Sequence, residues 1–592
     1  MLLTHSGDGA DMPTNGNDTL LGTPENDSID GLGGNDSIFG LGGNDLLIGN
    51  TGDDFLVGAA GADTLLGGTG NDWIVVGSGF DSADGGDGVD TLDYNEFSAN
   101  GVIGYTINLN TGRTTYSGGN DTISNFEVLL DSGNSGRIIG REGFGMRIEG
   151  LGGNDTIQGG GLTPGAAAND TILGGDGDDS IIATFGIDSI DGGDGVDTYD
   201  GTIWTGAITY DLQLQTLING AVTLTISGFE NLIDGSGNSV LNGSSFDNLL
   251  NGGAGDDTLR AGPGNDTLIG GPGADSLQGS SGTADVASYR TSTGAVVVYP
   301  GATANNQGDA AGDLYSGIEI FELSNATTAD TFFGGSGNEE ARGLNGNDVL
   351  FGNGGADVLR GGDGDDFLLP GDGSDGVNGD NGFDAVFYGD SPTAVTIDRD
   401  SIFLNTGFAA GDIFQSIEAF LLTEQGDVMR GLDADGSGDI MYGLGGNDSL
   451  EGRRGFDYLL GGDGADTLNG GYGYDLMTGG AGADLFVYNN GFEGGAFAGG
   501  GEVITDFQTG TDKIAFVGAT SGFVSFTAGA NLMLGAVNGG GINGTTAGPT
   551  LIYDASGGAL WFDSNGNQAG GLNYLASLLG TPVLTAADFI VI

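Results

Sequence analysis

Large aliphatic side chains recur at one interval through the first part of the chain. Leu20, Ile29, Ile38, Leu47, Leu56, Leu65, Ile74 and Leu92 fall on a nine-residue phase, and Ala83 fills the remaining place. Two residues before each stands an aspartate: Asp18, Asp27, Asp36, Asp45, Asp54, Asp63, Asp72, Asp81 and Asp90. Two residues before each aspartate stands glycine, except at Glu25. Self-similarity at a fixed period marks a stacked architecture. Each unit reads as a glycine-rich turn carrying one carboxylate, then a very short strand that buries one aliphatic group. Glycine suits the turn because it reaches positive φ without a Cβ clash.

One nonapeptide cannot close a core. Two facing units can form a coil, and coils stacked at about 4.8 Å give two parallel sheets around a thin aliphatic interior. The expected fold is therefore all-β, a parallel β-roll or β-helix solenoid of stacked nonapeptide coils. The phase returns in four further blocks. Asp155, Asp170, Asp179, Asp188 and Asp197 form the second, with an insertion around Pro164, and Asp257, Asp266 and Asp275 the third, with Asp285 one residue out of step. The fourth holds Asp330, Asp348, Asp357, Asp366, Asp375 and Asp384, with Glu339 at one aspartate place. The fifth, after an outlying Asp427, holds Asp439, Asp448, Asp457, Asp466, Asp475 and Asp484.

Between blocks the pattern changes to alternation, as in Ile103, Tyr105, Ile107 and Leu109 or Ile208, Tyr210 and Leu212, which is a strand signal. Each such segment later places an aromatic or aliphatic residue before glutamate: Phe126-Glu127, Phe229-Glu230, Ile318-Glu319 and Ile417-Glu418. The four are expected to share one plan as β-rich connectors. The division is a tail at 1–13, blocks at 14–94, 132–200, 235–289, 326–388 and 423–488, connectors at 95–131, 201–234, 290–325 and 389–422, and a β-rich C-terminal domain at 489–592. Asp313 lies outside the phase and is expected to matter less than an in-phase residue such as Asp54.

Composition makes a counter-ion necessary. The 592 residues include 127 glycines and 82 acidic against 13 basic residues, for a net charge of -69. Such a chain repels nucleic acid and anionic membrane, and its oxygen donors suit a hard divalent cation, calcium above all. With one aliphatic group per unit and so much glycine to order, the metal-free chain is expected to be disordered. There is no cysteine, so disulfides and thiolate sites are excluded. No apolar run approaches a membrane span, and the N-terminus has no basic region followed by an apolar segment.

The unit resembles the RTX repeat, G-G-x-G-x-D-x-U-x, a calcium-binding nonapeptide. Gly31–Phe39 (GLGGNDSIF) and Gly40–Ile48 (GLGGNDLLI) match every defined position but the second, where leucine replaces glycine. The resemblance implies that the phased aspartates named above, from Asp18 to Asp484, are calcium ligands. It also implies that residues two units apart, Asp18 with Asp36 or Asp27 with Asp45, share an ion whose shell backbone carbonyls complete. The segments GGGEVITDFQTGTDKIAF, ALWFDSNGN and LTAADFIVI resemble the C-terminal domain of proteins exported by type I secretion, which implies an extracellular or cell-surface protein and that exporter as a partner. A cap over the last coil is compatible with the same segment. DADGSGDI, with oxygens at Asp433, Asp435 and Ser437 and glycine at Gly438, has the spacing of half an EF-hand loop but places Leu444 at the bidentate glutamate; Asp563, Asn565 and Asn567 are a weaker case.

Catalysis has little to work with. The one histidine, His5, lies in the tail, which leaves histidine zinc sites and Ser/His/Asp chemistry without a base. RTX proteases and cyclases carry a separate domain upstream of the repeats, whereas here the repeats begin near residue 14. No enzyme is expected. The catalytic alternative is a carbohydrate-active site (lyase, epimerase or hydrolase-like) on the connectors, using paired carboxylates. Holding a polyuronate would need cations, and of the few arginines only Arg453-Arg454 are adjacent, a pair expected on the surface. The favoured purpose is structural or adhesive, with cell-surface or matrix polysaccharide as a candidate partner.

Overall fold

A computed structural model of the protein describes residues 12–95, 104–117, 119–162, 168–282, 284–433, 438–489, 501–517, 532–534, 550–563 and 572–592. The chain forms two compact units, Met1–Ser288 with Gly312–Ile318, and Tyr289–Ala311 with Glu319–Ile592.

In the first unit the repeat strands are short and bury their middle residue. Thr19–Leu21, Ser37–Phe39, Phe55–Val57, Trp73–Val75 and Thr91–Asp93 pair in parallel, stacking Leu20 on Ile38, Leu56, Ile74 and Leu92. Strands Ser28–Asp30, Leu46–Thr51, Thr64–Thr69 and Ser82–Asp87 form the second sheet, stacking Ile29 on Leu47, Leu65 and Ala83. Leu47, Leu56, Leu65 and Ile74 are fully buried. Partners within one sheet are 18 residues apart, so a coil is two nonapeptides, and consecutive repeats face each other across a one-residue-wide core. This is the β-roll that the aliphatic spacing implies, because only a strand that returns after two units can bury every ninth residue on one axis.

The connectors follow two plans. In the first, Tyr105–Asn108, Arg113–Tyr116 and Gly119–Ser124 form an antiparallel meander, and the roll resumes where Ala83 stacks on Ile123 and Leu92 on Leu129. Strands Ile208–Asp211, Thr216–Asn219 and Val222–Ser227 repeat this plan in the second. Left-handed residues allow these tight reversals, Gly112 at φ 68° and Gln215 at φ 55°. The third and fourth connectors instead carry paired 3-10 turns, Thr303–Asn305 with Gly308–Ala310 and Ile402–Leu404 with Gly407–Ala409. Here an asparagine closes the loop: Asn306 Oδ1 accepts the N–H of Tyr299, and Asn405 Oδ1 that of Asp398, each at 2.7 Å. The single plan expected from the shared glutamate therefore splits in two, decided by the local turn chemistry.

Within the second unit the same geometry continues. Phe332, Leu350, Leu368, Val386, Phe420, Met441, Leu459 and Met477 stack in one parallel sheet. Beyond Tyr488 both sheets go on: Glu502–Ile504 adds in parallel to Leu476–Gly482, and Lys513–Phe516 to Leu485–Tyr488. Phe589–Val591 then covers Lys513–Phe516.

Candidate metal centres

The turns hold the aspartates in a ladder along each edge of the roll. The backbone N–H of Asp18 donates to Asp36 Oδ1 at 2.8 Å, that of Asp36 to Asp54 at 2.7 Å, and those of Asp54 and Asp72 to Asp72 and Asp90 at 2.8 Å. On the opposite edge Asp27, Asp45, Asp63 and Asp81 are linked the same way. The ladder recurs in the other blocks, through Asp155, Asp179 and Asp197, through Asp257 and Asp275, through Asp330, Asp348, Asp366 and Asp384, and through Asp448, Asp466 and Asp484. Asp170 is joined to Asp188, Asp357 to Asp375, and Asp439 to Asp457 and Asp475. Asp266 accepts from Asn248, an amide at an aspartate place, at 2.7 Å.

This bond uses one carboxylate oxygen. The other, Oδ2, is buried without a hydrogen-bond partner in Asp36, Asp45, Asp54, Asp63, Asp72, Asp81 and Asp90, and equally in Asp155, Asp179, Asp257, Asp275, Asp348, Asp366, Asp457 and Asp475. Leaving so many buried acceptors unsatisfied is costly. Except behind Asp81, where Val76 stands, each faces a glycine five residues earlier, where a side chain would collide. A Cβ on Gly58 would stand 2.7 Å from Asp63 Oδ2 and 2.6 Å from the carbonyl oxygen of Val76 in the next coil. Carboxylate and carbonyl oxygens thus converge on a space that only glycine leaves open. The donor set is all oxygen, as calcium requires. Among the described residues no three acidic or histidine side chains converge, so carbonyls must supply the rest of any shell.

Electrostatics reinforce the need for a cation. Burial, followed by the charge of neighbouring aspartates, pushes Asp72 up to about 7 and Asp155 and Asp275 to about 8. A bound divalent ion would offset both effects.

Not every phased aspartate has this environment. Asp18 and Asp27 take the N–H groups of Thr14 and Thr23 on Oδ2, at 2.5 Å each. Gly160 N–H bonds Asp170 Oδ2 at 3.0 Å, and Ser324 gives both N–H and hydroxyl to Asp330 Oδ2. Asp439 is ion-paired through Oδ1 with Arg399, a buried pair. Arg453, expected on the surface with Arg454, instead reaches Asp398 at 3.0 Å and Asp400 at 2.5 Å with its side chain only 17% exposed, because those carboxylates lie under the turn it caps.

The connectors supply ladder members that the phase did not reveal. Asp121 accepts the N–H of Asp81 at 3.0 Å, Asp313 that of Asp275 at 2.8 Å, and Asp412 that of Asp375 at 2.9 Å. Asp313 is therefore in register, not outside it. Glu127, Glu230 and Glu418 accept the N–H groups of Asp90, Asp197 and Asp384, which gives the recurrent glutamate its role. The motif was visible in the sequence; its partner was not. Asp285 takes the N–H of Asp266 at 3.0 Å despite its one-residue slip. Of the EF-hand-like stretch, Asp435 and Ser437 lie outside the described residues, as do His5, Pro164, Ile103, Asn565 and Asn567.

The RTX calcium-binding nonapeptide repeat family matches the chain over residues 13–47, 39–74, 48–83, 66–97, 147–161, 173–202, 233–268, 242–277, 260–283, 333–368, 432–459 and 460–492. This is an RTX repeat protein. Its ladder of half-satisfied aspartates sits within the RTX repeats, and the chain is a calcium-binding β-roll protein. No curated protein matches it. Among solved structures, a subunit of the mannuronan C5-epimerase of Azotobacter vinelandii, determined in solution, is similar over 28% of this RTX chain and 78% of its own, with 24% identity and a TM-score of 0.17.

Proposed function

We propose that this RTX protein is secreted unfolded and becomes a rigid roll only on meeting extracellular calcium, to serve a structural, cell-surface or adhesive role without catalysis of its own. The observation that carries the reading is the row of buried Oδ2 atoms without partners, nearly all facing a glycine cradle, with a carbonyl oxygen beside it as at Gly58. In that place calcium would supply the positive charge that lets stacked carboxylates remain ionised in the interior. The phased aspartates with a free Oδ2 would hold it, and the glycine five residues earlier would keep the space clear. Among the described residues no helix is long and apolar enough to cross a membrane. The 13 basic residues and the net charge of -69 leave a folded surface that repels polyanions and keeps neighbouring rolls apart.

The test is a calcium titration of the full chain. In excess chelator the far-ultraviolet circular dichroism should be that of a disordered chain with a large hydrodynamic radius. Millimolar calcium should bring β-type dichroism and a sharp contraction together. A compact, β-rich protein in chelator would overturn the reading.

A further inference from the structure

The aspartate turns are of two kinds, and the residue four places before the aspartate separates them. Before Asp36, Asp45, Asp54 and Asp63 that residue is left-handed: Leu32 at φ 73°, Leu41 at 74°, Asn50 at 75° and Ala59 at 70°. In each of these units Oδ2 is buried and unpartnered. The leucines show that the conformation is held for a reason. A left-handed leucine costs about 1–2 kcal/mol, yet Leu32 and Leu41 are 44% and 46% exposed and recover little by burial. The N–H of Leu32 is turned to Asp30 Oδ1 at 3.0 Å, away from Asp36.

Before Asp27 and Asp427 the same place holds threonine outside the left-handed region. Thr23 gives Asp27 Oδ2 its N–H at 2.5 Å and its hydroxyl at 2.9 Å, and Thr423 does so for Asp427 at 2.8 and 2.9 Å. The hydroxyl of Thr184 reaches Asp188 Oδ2 at 3.2 Å. Asp27 and Asp427 stand at the starts of their blocks. At block ends a tyrosine takes over. The N–H of Gly40 bonds Val57 O, and in the equivalent place Tyr94 N–H bonds Leu130 O and Tyr388 N–H bonds Leu421 O. Both tyrosines thus replace the cradle glycine. Their hydroxyls donate to Oδ2 of the next ladder member, Tyr94 to Asp121 at 3.1 Å and Tyr388 to Asp412.

We infer that calcium enters only the turns whose residue four before the aspartate is left-handed, and that protein hydroxyls occupy the ion's place at Asp27, Asp121, Asp188, Asp412 and Asp427. The inference rests on the reading of the free Oδ2 ladder as the calcium site. It divides the ladder aspartates: Asp45 belongs to the calcium set, while Asp27, Asp188, Asp121 and Asp412 do not.

Equilibrium dialysis of the full chain against saturating calcium counts the ions. Leu41→Thr replaces an exposed side chain with a β-branched one that avoids positive φ and brings a hydroxyl, and it should lower the count by one, as Asp45→Asn should. Thr423→Gly frees the left-handed conformation and removes the hydroxyl, so it should raise the count by one; Thr23→Gly, on the half-exposed first coils, repeats that arm should the former not fold. Asp412→Asn should leave the count unchanged. Circular dichroism in calcium confirms that each variant is folded. If Asp45→Asn lowers the count but Leu41→Thr and the glycine variants leave it at the parent's value, the inference is overturned and the calcium reading stands. If Asp45→Asn also leaves it unchanged, both fall.

Discussion

A single missing Cβ decides whether a turn can take an ion. Gly58 has neither a side chain nor a left-handed backbone to account for it; what excludes any other residue is the 2.7 Å approach to Asp63 Oδ2 and the 2.6 Å approach to Val76 O. Gly58→Ala should therefore block one site and strain two coils at once. The expected outcome is a loss of about 1–3 kcal/mol from the calcium-loaded fold, the usual cost of overpacking, read as a lower Tm in calcium. A glycine such as Gly294, around which an added Cβ meets nothing within 4 Å, should tolerate alanine without that loss. Equal Tm values for the two variants would show that the cradle is not a close-packed site. At the same scale Arg399 illustrates the alternative to calcium. Its guanidinium, buried against Asp439, is a covalently tethered cation in a chain that otherwise depends on ions from solution.

The two-unit coil couples those residues to pH. Burial, ahead of neighbouring carboxylates, raises Asp63 to about 6, Asp72, Asp81 and Asp348 to about 7, and Asp155 and Asp275 to about 8, from an ordinary 3.8. An acid whose pKa rises on folding favours the fold while it is protonated. That contribution is complete below the ordinary carboxylate value and is lost as pH rises through 6 to 8. In chelator, residual β-type dichroism should thus be greater at pH 5 than at pH 8. Protons already favour the fold at the lower end of that interval while the unfolded carboxylates stay ionised, so the calcium concentration at half-folding should rise as pH rises over that interval. A calcium midpoint that does not move between pH 5 and pH 8 would contradict this coupling.

Across the whole molecule, the charge of -69 and the thin core make the fold conditional on its surroundings. Sites in the range of about 10⁻⁴ to 10⁻³ M stay empty in a cytosol and fill outside, so an exporter would meet an unfolded chain, and folding outside would oppose its return. Under the secretion proposal, residues 489–592 carry the address. Fusing them to an unrelated slow-folding passenger should send the passenger into the medium when a compatible exporter is present, and removing them should retain the chain inside the cell. Because the strands after Tyr488 also continue both sheets of their unit, the fusion is the cleaner arm. A passenger that stays in the cell would leave the segment as a cap alone.

The coil itself was legible in the residues. A nine-residue spacing of aspartate and aliphatic side chain admits one arrangement in which every Leu or Ile is buried, and a slip of one residue is excluded because it would turn the whole row outward. The observed stacking of Ile38 on Leu56 and Leu47 on Leu65 follows. Calcium chemistry was legible too, since an oxygen-rich, cysteine-free acidic repeat suits a hard cation, and calcium accepts irregular oxygen shells more readily than magnesium does. What tertiary structure decided lies where the phase breaks. Asp121, Asp313 and Asp412 join the ladder from 37 to 40 residues away because loops of any length can leave the roll and return in register. Local hydrogen bonding decided which carboxylates are left needing an ion. Whether Oδ2 meets a hydroxyl, as from Thr423 and Tyr94, or nothing, as behind Leu41, depends on backbone handedness and side-chain reach in three dimensions. Spacing along the chain encodes the repeat; only contact between coils determines how each repeat is satisfied.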